Sequence, residues 1–103
     1  MDFEQTMMTL LINAGDARSH AMSAIQFARQ RDWPAAEAAL AASVESAKDA
    51  HRIQTQLISA DEGAGKVPVT LILVHAQDHL MNAMLCRDLA EEIVLLRKEL
   101  FAS

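Results

Sequence analysis

The sequence predicts an all-α fold, an up-down-up antiparallel bundle of three long helices forming a single domain over residues 1–103. Three observations predict it. Ala, Leu, Met, Gln and Glu are abundant, Tyr is absent, and only three Gly and two Pro interrupt 103 residues, a composition that favours helix. Apolar residues recur every three or four positions through most of the chain, the spacing of one helical face. Two short connections separate three long periodic segments, and short connections make neighbouring helices antiparallel. A chain of this length buries a smaller share of its surface than a larger one, so self-association would help it.

The first helix is expected from about residue 3 to 30. Met7, Leu11, Ala14, Ala21, Ile25 and Ala28 trace its apolar stripe, which Arg18 interrupts. Gly15, inside this segment, costs roughly 1 kcal/mol against Ala; it marks either a close approach by another helix or simple tolerance. Asp32-Trp33-Pro34 ends that helix and starts the next, with Pro preorganised for the first turn and Asp32 or Trp33 at the cap. The second helix, about 34–60, has an inner stripe reading Ala36, Leu40, Val44, Ala47, His51, Gln54 and Ile58. Asp61-Glu62-Gly63-Ala64-Gly65-Lys66 has loop composition, and Pro68 suits the first turn of a third helix over about 68–100. The third helix is apolar on most of its circumference over Val67 to Leu73 and Leu80 to Leu85. A monomer needs only one dry stripe per helix, so this points to a homo-oligomer with that helix near the symmetry axis.

A net charge of −5 argues against the basic stripe that nucleic acids or anionic membranes require. Cys86 is the only cysteine, which excludes a disulfide framework and suits a reducing, cytoplasmic setting. Met1-Asp2-Phe3-Glu4-Gln5 is acidic where a signal peptide is basic, and the longest apolar run, Leu71-Ile72-Leu73-Val74, is too short to span a bilayer.

Between the two apolar belts of the third helix lie His75, Asp78, His79 and Asn82, at i, i+3, i+4 and i+7. They form one polar strip on an otherwise dry helix. Gln77, at i+2, points nearly the opposite way, so if it assists His75 it must come from a neighbouring copy. Polar groups in a dry setting cost several kcal/mol unless paired, which makes this cluster the first place to look for chemistry. A neutral imidazole is a nucleophile near pH 7 and can pass a phosphoryl group onward.

Asn13-Ala-Gly-Asp-Ala-Arg-Ser19, Ala50-His51-Arg-Ile-Gln54-Thr55 and His75-Ala-Gln-Asp-His-Leu-Met81, in this order and spacing, resemble the lactose/cellobiose-type enzyme IIA family of the phosphoenolpyruvate-dependent sugar phosphotransferase system. The resemblance covers nearly the whole chain. It implies a homotrimer of three-helix subunits, a phosphotransferase component that takes a phosphoryl group from phospho-HPr and hands it to a cysteine of the cognate enzyme IIB. It implies that His75 is phosphorylated. It also implies that Asp78 lies at the three-fold axis with a metal ion, magnesium, one per trimer. Three carboxylates converging on an axis repel one another unless a divalent cation or protons intervene.

The residues themselves leave other readings open. His79 either donates to a phosphoryl group one turn away or bonds within the bundle, and Gln77 is the other candidate donor to phosphoryl oxygens. His51 and Gln54 read as a structural pair and His20 as exposed. Asp16 and Arg18 read as surface structure, the charges from Arg87 to Glu99 as a solvated face, and Met7, Met8, Met22, Met81 and Met84 as core fillers. His75-x-x-x-His79 could serve a metal hydrolase, but Ala76 stands where the zinc hydrolase helix places its Glu. A purely structural trimer would explain the helices but not the two histidines. A two-component phosphotransfer domain lacks its His-x-x-Lys-Gly here.

Overall fold

The structure, a computed structural model, describes residues 2–102; Met1, where the acidic N-terminal stretch begins, and Ser103 lie outside them. All regular structure among the described residues is helical: α1 (Phe3–Arg29), α2 (Trp33–Asp61) and α3 (Leu71–Leu100). The helices form a rod of 56 × 20 × 19 Å.

Each helix begins where a short oxygen-bearing side chain can satisfy the free N–H groups of the first turn. Asp2 accepts from the Gln5 N–H and Asp32 from the Ala35 N–H, each at 3.2 Å. Pro34 stays within the first turn, where its missing N–H costs nothing. The third start differs from expectation. Pro68 and Val69 remain non-helical, and α3 begins at Leu71 with Thr70 as its cap, accepting from the Leu73 N–H at 3.2 Å. The physical reason lies in Val67. A following proline disfavours helical backbone there, its N–H donates to the Asp61 carboxylate at 3.0 Å, and its side chain is buried in the core.

Both turns use left-handed backbone. Arg31 has φ 59°, and its guanidinium lies 3.7 Å from the centre of the Phe101 ring, tying the α1–α2 turn to the end of α3. In the second turn Glu62, Gly63 and Gly65 all have positive φ, which the two glycines adopt without strain.

Packing is organised around α1, which lies along both other helices, while α2 and α3 meet each other least. Its buried face is Met7, Leu10, Ala14, Ala17, Ala21, Ala24 and Ala28, strides alternating between three and four. This corrects the expected stripe. Leu10 and Ala17 are inside, Leu11 and Ile25 sit on the shoulder, and Arg18 is exposed beside the seam and does not interrupt it. The expected and observed stripes share Met7, Ala14, Ala21 and Ala28 and differ in which of two adjacent residues, about 100° apart, fills the turn between them. The same correction applies to α2, whose buried residues are Ala36, Ala39, Ser43, Ala47, Ala50, Ile53 and Leu57. Leu40 and Val44 are half-buried, and His51 and Ile58 are exposed.

Alanine dominates these seams, so helices approach closely and little room remains for large side chains. Leu10, Leu80 and Val94 are the largest residues with no more than trace exposure, joined by Ser43. The Ser43 hydroxyl donates to the Ala17 carbonyl oxygen at 2.7 Å, joining α2 to α1 and satisfying the buried oxygen. Of the methionines expected inside, only Met7 is buried. Met84 is half-buried and Met8, Met22 and Met81 are exposed, because the alanine seams leave no gaps for long flexible chains to fill.

Replacing Leu80 by Ala should lower stability by about 2–5 kcal/mol, and Ala21→Leu, which overpacks the seam, by about 1–3 kcal/mol. Urea unfolding followed by circular dichroism at fixed protein concentration measures both.

Candidate functional site

The buried side of α3 is Ala76, Leu80, Ala83, Ala90 and Val94. Diametrically opposite, Leu71, Val74, Met81, Leu85, Leu89 and Leu96 form a second apolar face that is open to solvent; Leu71 is 89% exposed and Leu85 57%. Asp78, also exposed, lies in the middle of that face. With about 100° of rotation per residue, His75 and His79 lie roughly 60° and 100° to one side of Asp78, and Gln77 roughly 100° to the other. One helix therefore presents a carboxylate on its outer face, imidazoles on one flank and an amide on the opposite flank.

The imidazole flank faces α1. His75 is exposed and His79 half-buried, their rings parallel within 4° and 5.9 Å apart between centres, close to the rise of one helical turn. His79 is packed over Gly15: a Cβ built on that glycine would stand 3.5 Å from His79 Nε2. Gly15 thus marks a place where a neighbouring helix comes near, through a side chain. The space admits a methyl group at ordinary contact distance. Beside α1, the His79 ring lies parallel to the exposed imidazole one turn away.

The amide flank faces α2. Gln54 Nε2 donates to Gln77 Oε1 at 2.5 Å in a partly buried setting. Gln54 was expected to pair with His51, and here the structure differs. His51 turns outward and lines a shallow groove with Val44, Lys48, Met84 and Arg87, while Gln54 reaches across to α3. Residues 51 and 54 are three apart, about 60° round the helix: Gln54 lies at the edge of the seam, half-buried, and His51 lies further round on the same side, in solvent. The signal that would have found the Gln54–Gln77 pair is register: counting outward equally from the middle of the α2–α3 connection sets residue 54 beside residue 77.

The remaining polar candidates are surface groups. His20, Asp16 and Arg18 are exposed. Arg87 pairs with Asp88 and Glu91, and Lys98 with Glu37 across the bundle; exposed pairs of this kind add little stability. Among the described residues no helix is long and apolar enough to cross a membrane. Nor does a single chain gather three or more His, Cys, Asp or Glu side chains as a metal site among those residues. Asp78 offers one carboxylate at that position.

Set beside known proteins, this arrangement finds a consistent match. Residues 5–98 match the model of the family described as "PTS system, Lactose/Cellobiose specific IIA subunit". The chain belongs to that family. The match takes in nearly all of the three helices, including the whole His75-Ala76-Gln77-Asp78-His79 segment. This IIA chain is 46% identical over 101 residues, 98% of its length and 87% of the relative's, to the N,N'-diacetylchitobiose-specific EIIA component of Escherichia coli K12. Its fold is similar to the crystal structure of the cellobiose-specific enzyme IIA of Bacillus anthracis, with a TM-score of 0.94 and 41% identity over all of this chain and 94% of that one. It is also similar to the IIA chain in the solution structures of the IIA(chitobiose)–HPr complex of Escherichia coli, with a TM-score of 0.84 and 45% identity over 97% of each chain.

In this IIA subunit Gly15→Ala should fold normally and gain up to about 1 kcal/mol of helix stability, whereas Gly15→Val should push the His79 ring away from α1. Imidazole nitrogen and carbon-bound proton resonances of His79, compared with those of His20, report the difference.

Proposed function

We propose that this chain is a phosphoryl carrier that accepts a phosphoryl group from phospho-HPr on His75 and passes it to the cysteine of its cognate enzyme IIB, in the cytoplasm, for uptake of a lactose-, cellobiose- or chitobiose-type sugar. The observation that carries this reading is the exposed His75 imidazole, set on a rigid helix over His79. A ring nitrogen lone pair of His75 attacks phosphorus as the bond to the donor breaks. Later the enzyme IIB thiolate attacks the same phosphorus, the N–P bond breaks, and the electron pair returns to the imidazole. The protein contributes positioning and charge management. His79, one turn away, is placed to donate to a phosphoryl oxygen.

Assembly as a homotrimer of up-down-up subunits fits the second apolar face of α3. Covering a large apolar side chain is worth about 1.5–3 kcal/mol. Five half-covered ones and the nearly uncovered Leu71 on each chain therefore offer on the order of 5–10 kcal/mol per chain, comparable with the cost of association. The up-down-up course is supported by the pairings of Ser43 with Ala17, Gln54 with Gln77 and Glu37 with Lys98. Around a three-fold axis through Asp78, the imidazole flank of one α3 meets the amide flank of the next, which brings Gln77 of one copy towards His75 of another. The donor set at the axis, three carboxylates and nothing softer, suits a hard divalent cation such as magnesium. When bound, the ion supplies positive charge that offsets carboxylate repulsion.

Incubation with phosphoenolpyruvate, enzyme I and HPr should yield an acid-labile, base-stable phosphoprotein. The label should vanish in His75→Gln and persist in His51→Gln; label retained without His75 rejects the assignment. The net charge of −5 suits a basic docking surface on the donor, so transfer should slow as ionic strength rises, as stopped-flow rates across a salt series would record. Chelation of divalent cations should loosen the trimer in sedimentation velocity, and Asp78→Asn, which removes the converging charges, should make the assembly indifferent to the chelator.

A further inference from the structure

We propose that Gln54 is a positioning residue that sets which end of the Gln77 amide faces a phosphohistidine on the neighbouring copy. This rests on the carrier reading above, and it goes beyond it by assigning a task to a residue on a different helix.

A glutamine side chain has two chemically opposite ends. Its carbonyl oxygen would repel a phosphoryl dianion, while its amino group offers two N–H donors to it. Which end points outward is decided by what holds the other, since the two orientations fill the same space. Here the holder is Gln54, whose Nε2 donates to Gln77 Oε1. With the oxygen engaged towards α2, the Gln77 amino group is the end left over. It has no other hydrogen-bond partner in the chain among the described residues.

Packing makes the hold persistent. Gln77 and Gln54 are both half-buried. Gln77 opens onto a groove walled by Leu57, Ile58, Val69 and Leu73 together with Asp61, whose carboxylate already accepts from the Val67 N–H at 3.0 Å. Gln77 sits on a regular stretch of α3, so its Cα cannot drift, and the remaining freedom is the rotation that Gln54 removes. The outward amino group lies on the flank of α3 that meets the imidazole flank of the next copy in a three-fold arrangement.

The test uses four variants of the full-length protein: Gln54→Glu, Gln54→Leu, Gln77→Ala and the double Gln54→Glu with Gln77→Ala. Glutamate is nearly the same size and shape but offers only acceptors, so it should turn the Gln77 amino group inward and leave its oxygen facing the phosphoryl group. Single-turnover transfer from phospho-HPr should fall by roughly a hundredfold to a thousandfold in Gln54→Glu, the range seen when one preorganised donor is lost. Gln54→Leu should slow transfer less, because Gln77 can then still sample the productive orientation. In the Gln77→Ala background Gln54→Glu should add nothing. A second readout reports the orientation itself: in unphosphorylated Gln54→Glu the Gln77 side-chain N–H resonances should shift downfield and exchange more slowly.

Transfer as fast as wild type in Gln54→Glu, or slowing that adds to that of Gln77→Ala, overturns the proposal while leaving the carrier reading intact. Unchanged transfer in Gln77→Ala also overturns it, with His75 labelling still standing. Absence of label on wild-type His75 removes the carrier reading and the proposal together. Melting temperature and sedimentation verify that each variant is folded. If Gln54→Glu is not, Gln54→Leu decides: Gln77 amide resonances averaged between orientations support the proposal, and unperturbed ones overturn it.

Discussion

The arrangement of this molecule depends on α3 carrying two apolar faces on opposite sides of one helix. Ala76, Leu80, Ala83, Ala90 and Val94 go inward against the bundle, and the helical period then sends Leu71, Val74, Met81 and Leu85 outward. Neither set can be moved without moving the other, because both are fixed by rotation about the same axis. Asp78 falls in the middle of the outer face as a result, and His75, His79 and Gln77 can only occupy the two flanks. The site is thus a by-product of burying one seam and presenting another.

α1 makes that geometry rigid. Its alanines allow both other helices to lie close, and Gly15 leaves the space in which the His79 ring rests. α2 and α3 are joined more sparingly, by the Gln54–Gln77 hydrogen bond near one end and the Lys98–Glu37 pair towards the other. An exposed ion pair contributes little. The partly buried amide pair is the more constraining of the two, since breaking it would leave a polar group against apolar walls. The same two contacts therefore differ in purpose: one closes the rod, the other orients a side chain.

For a proposed carrier that must meet two different proteins, the placement of His75 is economical. The imidazole is exposed, so a donor and an acceptor can reach it in turn. It stands in the second turn of a thirty-residue helix and not on a loop, so its position is defined before either partner arrives. The supporting groups come from beneath and, in the trimeric reading, from beside it.

Much of this was legible in the sequence. Three helices follow from composition and period, the second start from Asp32-Trp33-Pro34, and the unusual polar strip from His75 to Asn82 from its spacing alone. Those properties are local, set by propensity and by which residues are neighbours along one helix. What only the tertiary structure decided is which of two adjacent shoulders of each helix turns inward, that α3 waits for Thr70 because Val67 is anchored, and that Gln54 reaches Gln77 while His51 turns to solvent. Leu10 displaces Leu11, and Ala39 displaces Leu40, because a close alanine-lined approach rewards small side chains and steady register over raw hydrophobicity. Such choices depend on the other helices, whose positions no single stretch of sequence contains.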